Sequence, residues 1–138
     1  MYRRILVGYD GSAAGRKAFD AALGLAEKDG AELFVVSVAR TLEIPDDVEA
    51  EAVIENSRRY HRGLLAELRA ETAKKNVTAH YEVAVGHPAE QIMHHADQHG
   101  VDLIVVGDRG RSKFARLLLG SVSRQVTEHA GRPVLVVR

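Results

Sequence analysis

No cysteine occurs in the 138 residues, which removes disulfides, thiolate catalysis and cysteine-based metal sites together and fits a reducing compartment. Stability must therefore come from packing. Aromatic residues are scarce at 5%, so a flavin would find few rings to stack on. An excess of one charge is absent too. Nineteen basic residues balance nineteen acidic ones, and no overall field draws the chain towards nucleic acid or an anionic membrane. No apolar run approaches the length that a bilayer requires. Residues 1–11 (MYRRILVGYDG) hold only Ile5-Leu6-Val7 before turning polar, too little for a secretory leader. The expected location is cytoplasmic, with no membrane and no nucleic acid among the partners.

What is present is globular: 46% hydrophobic and 28% charged residues, at a length that suits one domain over residues 1–138. Short apolar runs predict strands at residues 3–9, 33–38, 102–107 and 133–137, and the alternation of Tyr81, Val83 and Val85 predicts another over 78–85. Helices are predicted between them. Asp10-Gly11-Ser12 opens the first, whose apolar positions are Ala14, Ala18, Ala21, Ala22, Leu25 and Ala26, and Asp29-Gly30 stops it. After a loop over 40–47 containing Pro45, a long helix from 48 to about 75 carries Val53, Tyr60, Leu64, Leu65 and Leu68. Its first half is too polar for deep burial. Gly86-His87-Pro88 opens a third helix, to about His99, and Ser121 a fourth, to Ala130. Strands alternating with helices imply a parallel, doubly wound α/β sheet with helices on both faces and right-handed crossovers. Such sheets bind ligands outside the carboxyl ends of their strands, which directs attention to Asp10, Val38 and Gly107.

The most specific signal is Gly107-Asp108-Arg109-Gly110, then nine residues, then Gly120-Ser121-Val122-Ser123 at a helix start. Glycines let backbone N–H groups approach a phosphate, and a helix N-terminus adds unpaired donors and a favourable dipole. The hydroxyls of Ser121 and Ser123 can donate to a phosphate or reach a phosphate-bound metal. Arg109, Arg111, Lys113 and Arg116 crowd the same loop of a neutral chain, so a polyanion is its natural ligand. The loop alone leaves another reading open, in which the glycines only turn the chain, Gly120 and Ser121 only cap a helix, and the cations are solvated. For Asp10 the competing role is N-cap of the first helix.

The spacing G-x2-G-x9-G-[ST] after the fourth strand of a five-strand α/β chain resembles the universal stress protein family. The likeness spans the chain, through the Asp10-Gly11-Ser12 end of the first strand, the Gly86-x-Pro88 turn, the run Leu117 to Ser123 and the closing Arg132-Pro133-Val134-Leu135-Val136-Val137. It implies strand order 3-2-1-4-5 and, for members that keep the glycine motif, binding of ATP, with Mg²⁺ as companion. Carried over, it places Asp10 on the ribose hydroxyls and the Val38 backbone beside adenine. Gly107, Arg109 and Gly110 then flank ribose and phosphates, and Gly120, Ser121, Val122 and Ser123 hold the terminal phosphates, Ser123 near the metal. It also implies a homodimer through the closing strand, from Pro133 to Val137, an apolar edge that is hazardous if left open. Asp108 departs from the small polar residue that many relatives carry; it can face solvent, pair with Arg109 or Arg111, or repel phosphate.

The implied function is an ATP-binding regulatory module of the stress response, acting through unidentified protein partners. Two alternatives stand beside it: a slow ATPase or phosphotransferase using the same loop, and a nucleotide-free dimeric interaction protein. The enzyme reading has little support, because no Walker lysine followed by Ser/Thr is present and Asp108 is the only candidate base. His95 and His99 have the i, i+4 spacing of a metal pair, but Ala96 stands where H-E-x-x-H needs glutamate, and a solvated helix face is the expectation there. Tyr60, His61 and Tyr81 read as boundary residues.

Overall fold

Ile5, Leu6 and Val7 are 0% exposed, and consecutive strand residues can all be dry only where a sheet is covered on both faces. A computed structural model describing residues 1–40, 48–109 and 119–138 places them at the centre of such a sheet. Among the described residues, parallel strands β1 (Arg4–Gly8), β2 (Glu32–Arg40), β3 (Ala79–Gly86), β4 (Leu103–Gly107) and β5 (Val134–Val137) lie in the order β3-β2-β1-β4-β5. Helices α1 (Ala13–Asp29), α2 (Val48–Thr72), α3 (Pro88–His99) and α4 (Ser121–His129) alternate with them. The α/β class and the strand order are those expected from the sequence.

Strand alternation sorts the core into two layers. Ile5, Val7, Leu33, Val35 and Val105 face α1 and α2, where Phe19, Ala22 and Leu68 close over them. Leu6, Phe34, Val36, Ile104 and Val106 face α3 and α4, against Ile92, Ala96 and Val126. None of the described helices is long and apolar enough to cross a membrane.

Helix faces differ from expectation in detail. The buried stripe of α1 runs Ala14, Ala18, Phe19, Ala22, Leu23 and Ala26, whereas Ala21 and Leu25 are half-buried. Phe19 and Leu23 were missing from the alanine-based pattern, and they turn the stripe by part of a residue step. On α2, Leu65 and Leu68 are buried, as is Ala50 near the start, but Val53 and Tyr60 are 45% and 50% exposed. Arg16 on α1 grips Glu71 on α2 with both guanidinium nitrogens, one at 2.6 Å, and holds the two helices on their shared face.

Candidate functional site

Where successive connections leave a parallel sheet in opposite directions, a crevice opens outside the strand ends. In this order that point lies between β1 and β4. Chain direction and turn chemistry then place the groups around it. At the end of β1, Gly11 adopts φ +83, a conformation that glycine enters without strain. The turn brings the Asp10 carboxylate back to accept the Ser12 N–H at 2.9 Å. The cap of α1 is Ser12 rather than Asp10: its side chain accepts the Gly15 N–H at 3.0 Å. At the end of β4, a Cβ on Gly107 would stand 2.8 Å from the Ala14 carbonyl, so α1 and β4 approach closely only through glycine.

On β2, the Val36 carbonyl accepts Tyr9 N–H at 2.9 Å, and β1 ends there. By strand alternation the peptide groups of Val38 turn to the same side, and no described residue hydrogen-bonds them from that side. A planar ring with edge donors and acceptors could pair with such groups.

The loop opposite is closed at its base. Asp108 N–H donates to the Val137 carbonyl at 2.9 Å, and the Asp108 carbonyl accepts Gly120 N–H at 2.7 Å. The Ser123 hydroxyl, on a side chain that is buried, lies 3.1 Å from the same carbonyl and 3.0 Å from that of Gly120. Gly120, the N-cap of α4, brings no side chain to the helix start. The N–H groups of Ser121, Val122 and Ser123 therefore have no partner among the described residues, and they carry the positive end of the helix dipole.

These elements enclose one cavity of about 460 Å³, within the range of small-molecule sites. Asp10, Val38, Gly107, Arg109, Gly120, Ser121, Val122 and Ser123 all line it. Gly110 lies outside the described residues, as do Arg111, Lys113 and Arg116. Asp108 is absent from the described lining; its carboxylate is 14% exposed and stands 3.9 Å from Arg109 Nε, which is the pairing anticipated for it.

Sequence reading missed part of this wall. Arg40, at the end of β2, adds a second cation, and Val36, Ile92 and Val106 add an apolar floor. His61 was placed at a boundary but is buried, lines the cavity and stands 2.6 Å through Nδ1 from the buried Ser37 hydroxyl. Its spacing from Leu65 and Leu68, i, i+4 and i+7, was the available signal. His95 was likewise expected on a solvated face. It is buried beside Glu82, and burial pushes its pKa below the usual value against the opposing field of that carboxylate.

A doubly wound α/β protein with a polar and apolar cleft at its strand-order reversal is the class that fold and cavity define. The family model for the universal stress protein family matches residues 1–138. A universal stress protein of Bacillus subtilis is 35% identical over the whole of both chains. Universal stress protein UspA from Lactobacillus plantarum has the same fold, with TM-score 0.91, 27% identity and 99% and 98% of the two chains covered. Another universal stress protein, solved in complex with cAMP, is 29% identical with TM-score 0.72, covering 99% and 97%. The chain belongs to the universal stress protein family.

Proposed function

We propose that this cleft binds an adenine nucleotide, ATP in the first instance, and that the protein works as a nucleotide-responsive module of the stress response rather than as an enzyme. The observation that carries the reading is the convergence, in one cavity, of an unpartnered helix N-terminus, two arginines, a carboxylate and an apolar floor. The amides of Ser121, Val122 and Ser123 suit phosphate oxygens, helped by Arg109 and Arg40. Asp10 suits the ribose hydroxyls, and the Val38 backbone with Ile92 and Val106 suits the base. A family member of similar fold solved with cAMP supports an adenine ligand.

Mg²⁺ fits less well. The Ser123 hydroxyl points its proton at the Asp108 or Gly120 carbonyl, and its side chain is buried. Ser121, which is exposed, is the freer hydroxyl, so no role is derived for a metal in this cleft. Asp108, the candidate base for hydrolysis, stands beside Arg109 outside the described lining, which favours binding over turnover. The same reading includes a homodimer formed through β5, which lies at the sheet edge with Leu135 exposed.

Isothermal titration of the nucleotide-free protein with ATP, ADP, AMP and cAMP tests the proposal. One site per chain with micromolar-scale affinity for ATP is expected, lost in Gly120→Val. Absence of heat at millimolar concentrations of all four would reject it.

A further inference from the structure

Away from the cleft, three side chains converge between β3 and α3. His95 and His99 are one helical turn apart and project from the same face, and packing of α3 on the sheet sets Glu82 of β3 against them. Glu82 Oε2 lies 2.9 Å from His95 Nδ1 and 3.8 Å from His99 Nε2. One ligand atom from each of the three lies within 4.8 Å of the others. Ligand atoms around a tetrahedral zinc ion, with bonds of about 2.0–2.1 Å, stand about 3.3 Å apart. The two spacings to Glu82 bracket that value.

A second observation points the same way. The His95 side chain is 7% exposed, and its Nδ1 is left without a hydrogen bond of ordinary geometry among the described residues, with Glu82 Oε2 2.9 Å away as its ion-pair partner. A coordinated ion would take the Nδ1 lone pair and the carboxylate oxygen together. The His99 ring is stacked on Phe34, centroids 4.4 Å apart, which fixes its orientation. Glu82 is 51% exposed and leaves a way in from solvent. A second cavity, of about 490 Å³, opens along Glu82 and His99 and shares only Val36 with the cleft. A plain ion pair would account for Glu82 beside His95. With His99 Nε2 3.8 Å from the same oxygen, two imidazoles converge on one carboxylate.

The geometry points to a divalent transition-metal site formed by Glu82, His95 and His99, with Zn²⁺ the best-suited ion and water completing its coordination. Two imidazoles and one carboxylate select borderline ions over Mg²⁺ and Ca²⁺, which prefer oxygen alone. The third ligand comes from the neighbouring strand as Glu82.

The full chain, stripped with EDTA and free of nucleotide, is titrated with Zn²⁺ by calorimetry and with Co²⁺ by visible absorption. One ion per chain and the bands of a four-coordinate Co²⁺ site are expected, with no comparable heat from Mg²⁺. His99→Ala and Glu82→Gln should each weaken Zn²⁺ binding by more than about 100-fold, beyond the about 10–100-fold that loss of a group behind the ligands costs. Exposed His94→Ala should leave it unchanged. Both main variants alter part-exposed side chains, and circular dichroism melts without metal check that they fold; His99→Gln replaces His99→Ala if stacking on Phe34 is disturbed. No saturable binding, affinity unchanged in either variant, or equal binding of Mg²⁺ would overturn the site.

Discussion

Asp10 serves the turn and, in the proposed function, the ligand. Its carboxylate accepts Ser12 N–H at 2.9 Å while lining the cavity, and a carboxylate has lone pairs enough for both tasks. Hydrogen bonds to a charged group are worth about 1.5–3 kcal/mol, so Asp10→Ala should weaken ATP binding by about 10–100-fold. The contact can be assigned by also titrating 2′-deoxy-ATP. Wild type should pay a penalty for the missing hydroxyl, and Asp10→Ala should not; a penalty that persists in the variant would move the ribose elsewhere. The place of Asp10 in the cavity wall was legible because it stands at the end of the first predicted strand, three residues after the apolar run Ile5-Leu6-Val7. His61 was not, because a histidine near the middle of a largely polar helix reads as surface until the buried positions of Leu65 and Leu68 fix the rotation of α2.

Helix α4 separates stability from binding. Its first amides are unpartnered and its N-cap is glycine, so a carboxylate at the first helical position should help the helix by about 0.3–1 kcal/mol. It would also occupy the place assigned to phosphate. Ser121→Glu is therefore expected to raise the unfolding midpoint slightly in denaturant while abolishing ATP binding by calorimetry; retained affinity would detach the phosphates from this terminus. The helices of the other layer show how far periodicity reaches. Alanine spacing located α1, with Asp10-Gly11-Ser12 and Asp29-Gly30 marking its ends, but not the part played by Phe19, since a small-residue stripe defines an axis better than a rotation. Helical spacing on α2 equally could not tell Val53, which is 45% exposed, from Leu68, which is 1% exposed, because spacing gives a face and not which turns of that face are covered. Phe19→Ala should accordingly cost about 3–5 kcal/mol in equilibrium unfolding, whereas Val53→Ala should stay within about 0.5 kcal/mol. The loop signal was legible for a different reason: glycine at 107 is demanded by the close approach of α1, which the sequence records directly.

The order β3-β2-β1-β4-β5 makes β5 a sheet edge, and its residues run Val134, Leu135, Val136, Val137. Val134 and Val136 pack into the α3–α4 layer and Val137 into the α1–α2 layer. Leu135 is left 37% exposed on a strand whose outer peptide groups no described residue pairs. An edge of this kind, short of charge, pairs with another strand unless something blocks it. A twofold axis beside β5 would let two copies satisfy each other's peptide groups and cover both Leu135 side chains in one closed contact. Leu135→Lys places like charges across that axis without emptying the core, so the variant should fold and sediment as a monomer where wild type sediments as a dimer. Dilution offers an independent check, because in such a dimer coupling of folding to association would make the wild-type melting temperature rise with protein concentration. The Lys variant should lose that dependence. A dimer unchanged by the substitution, with its melting temperature still rising with concentration, would place the interface on another surface and leave β5 an edge protected by its shortness alone.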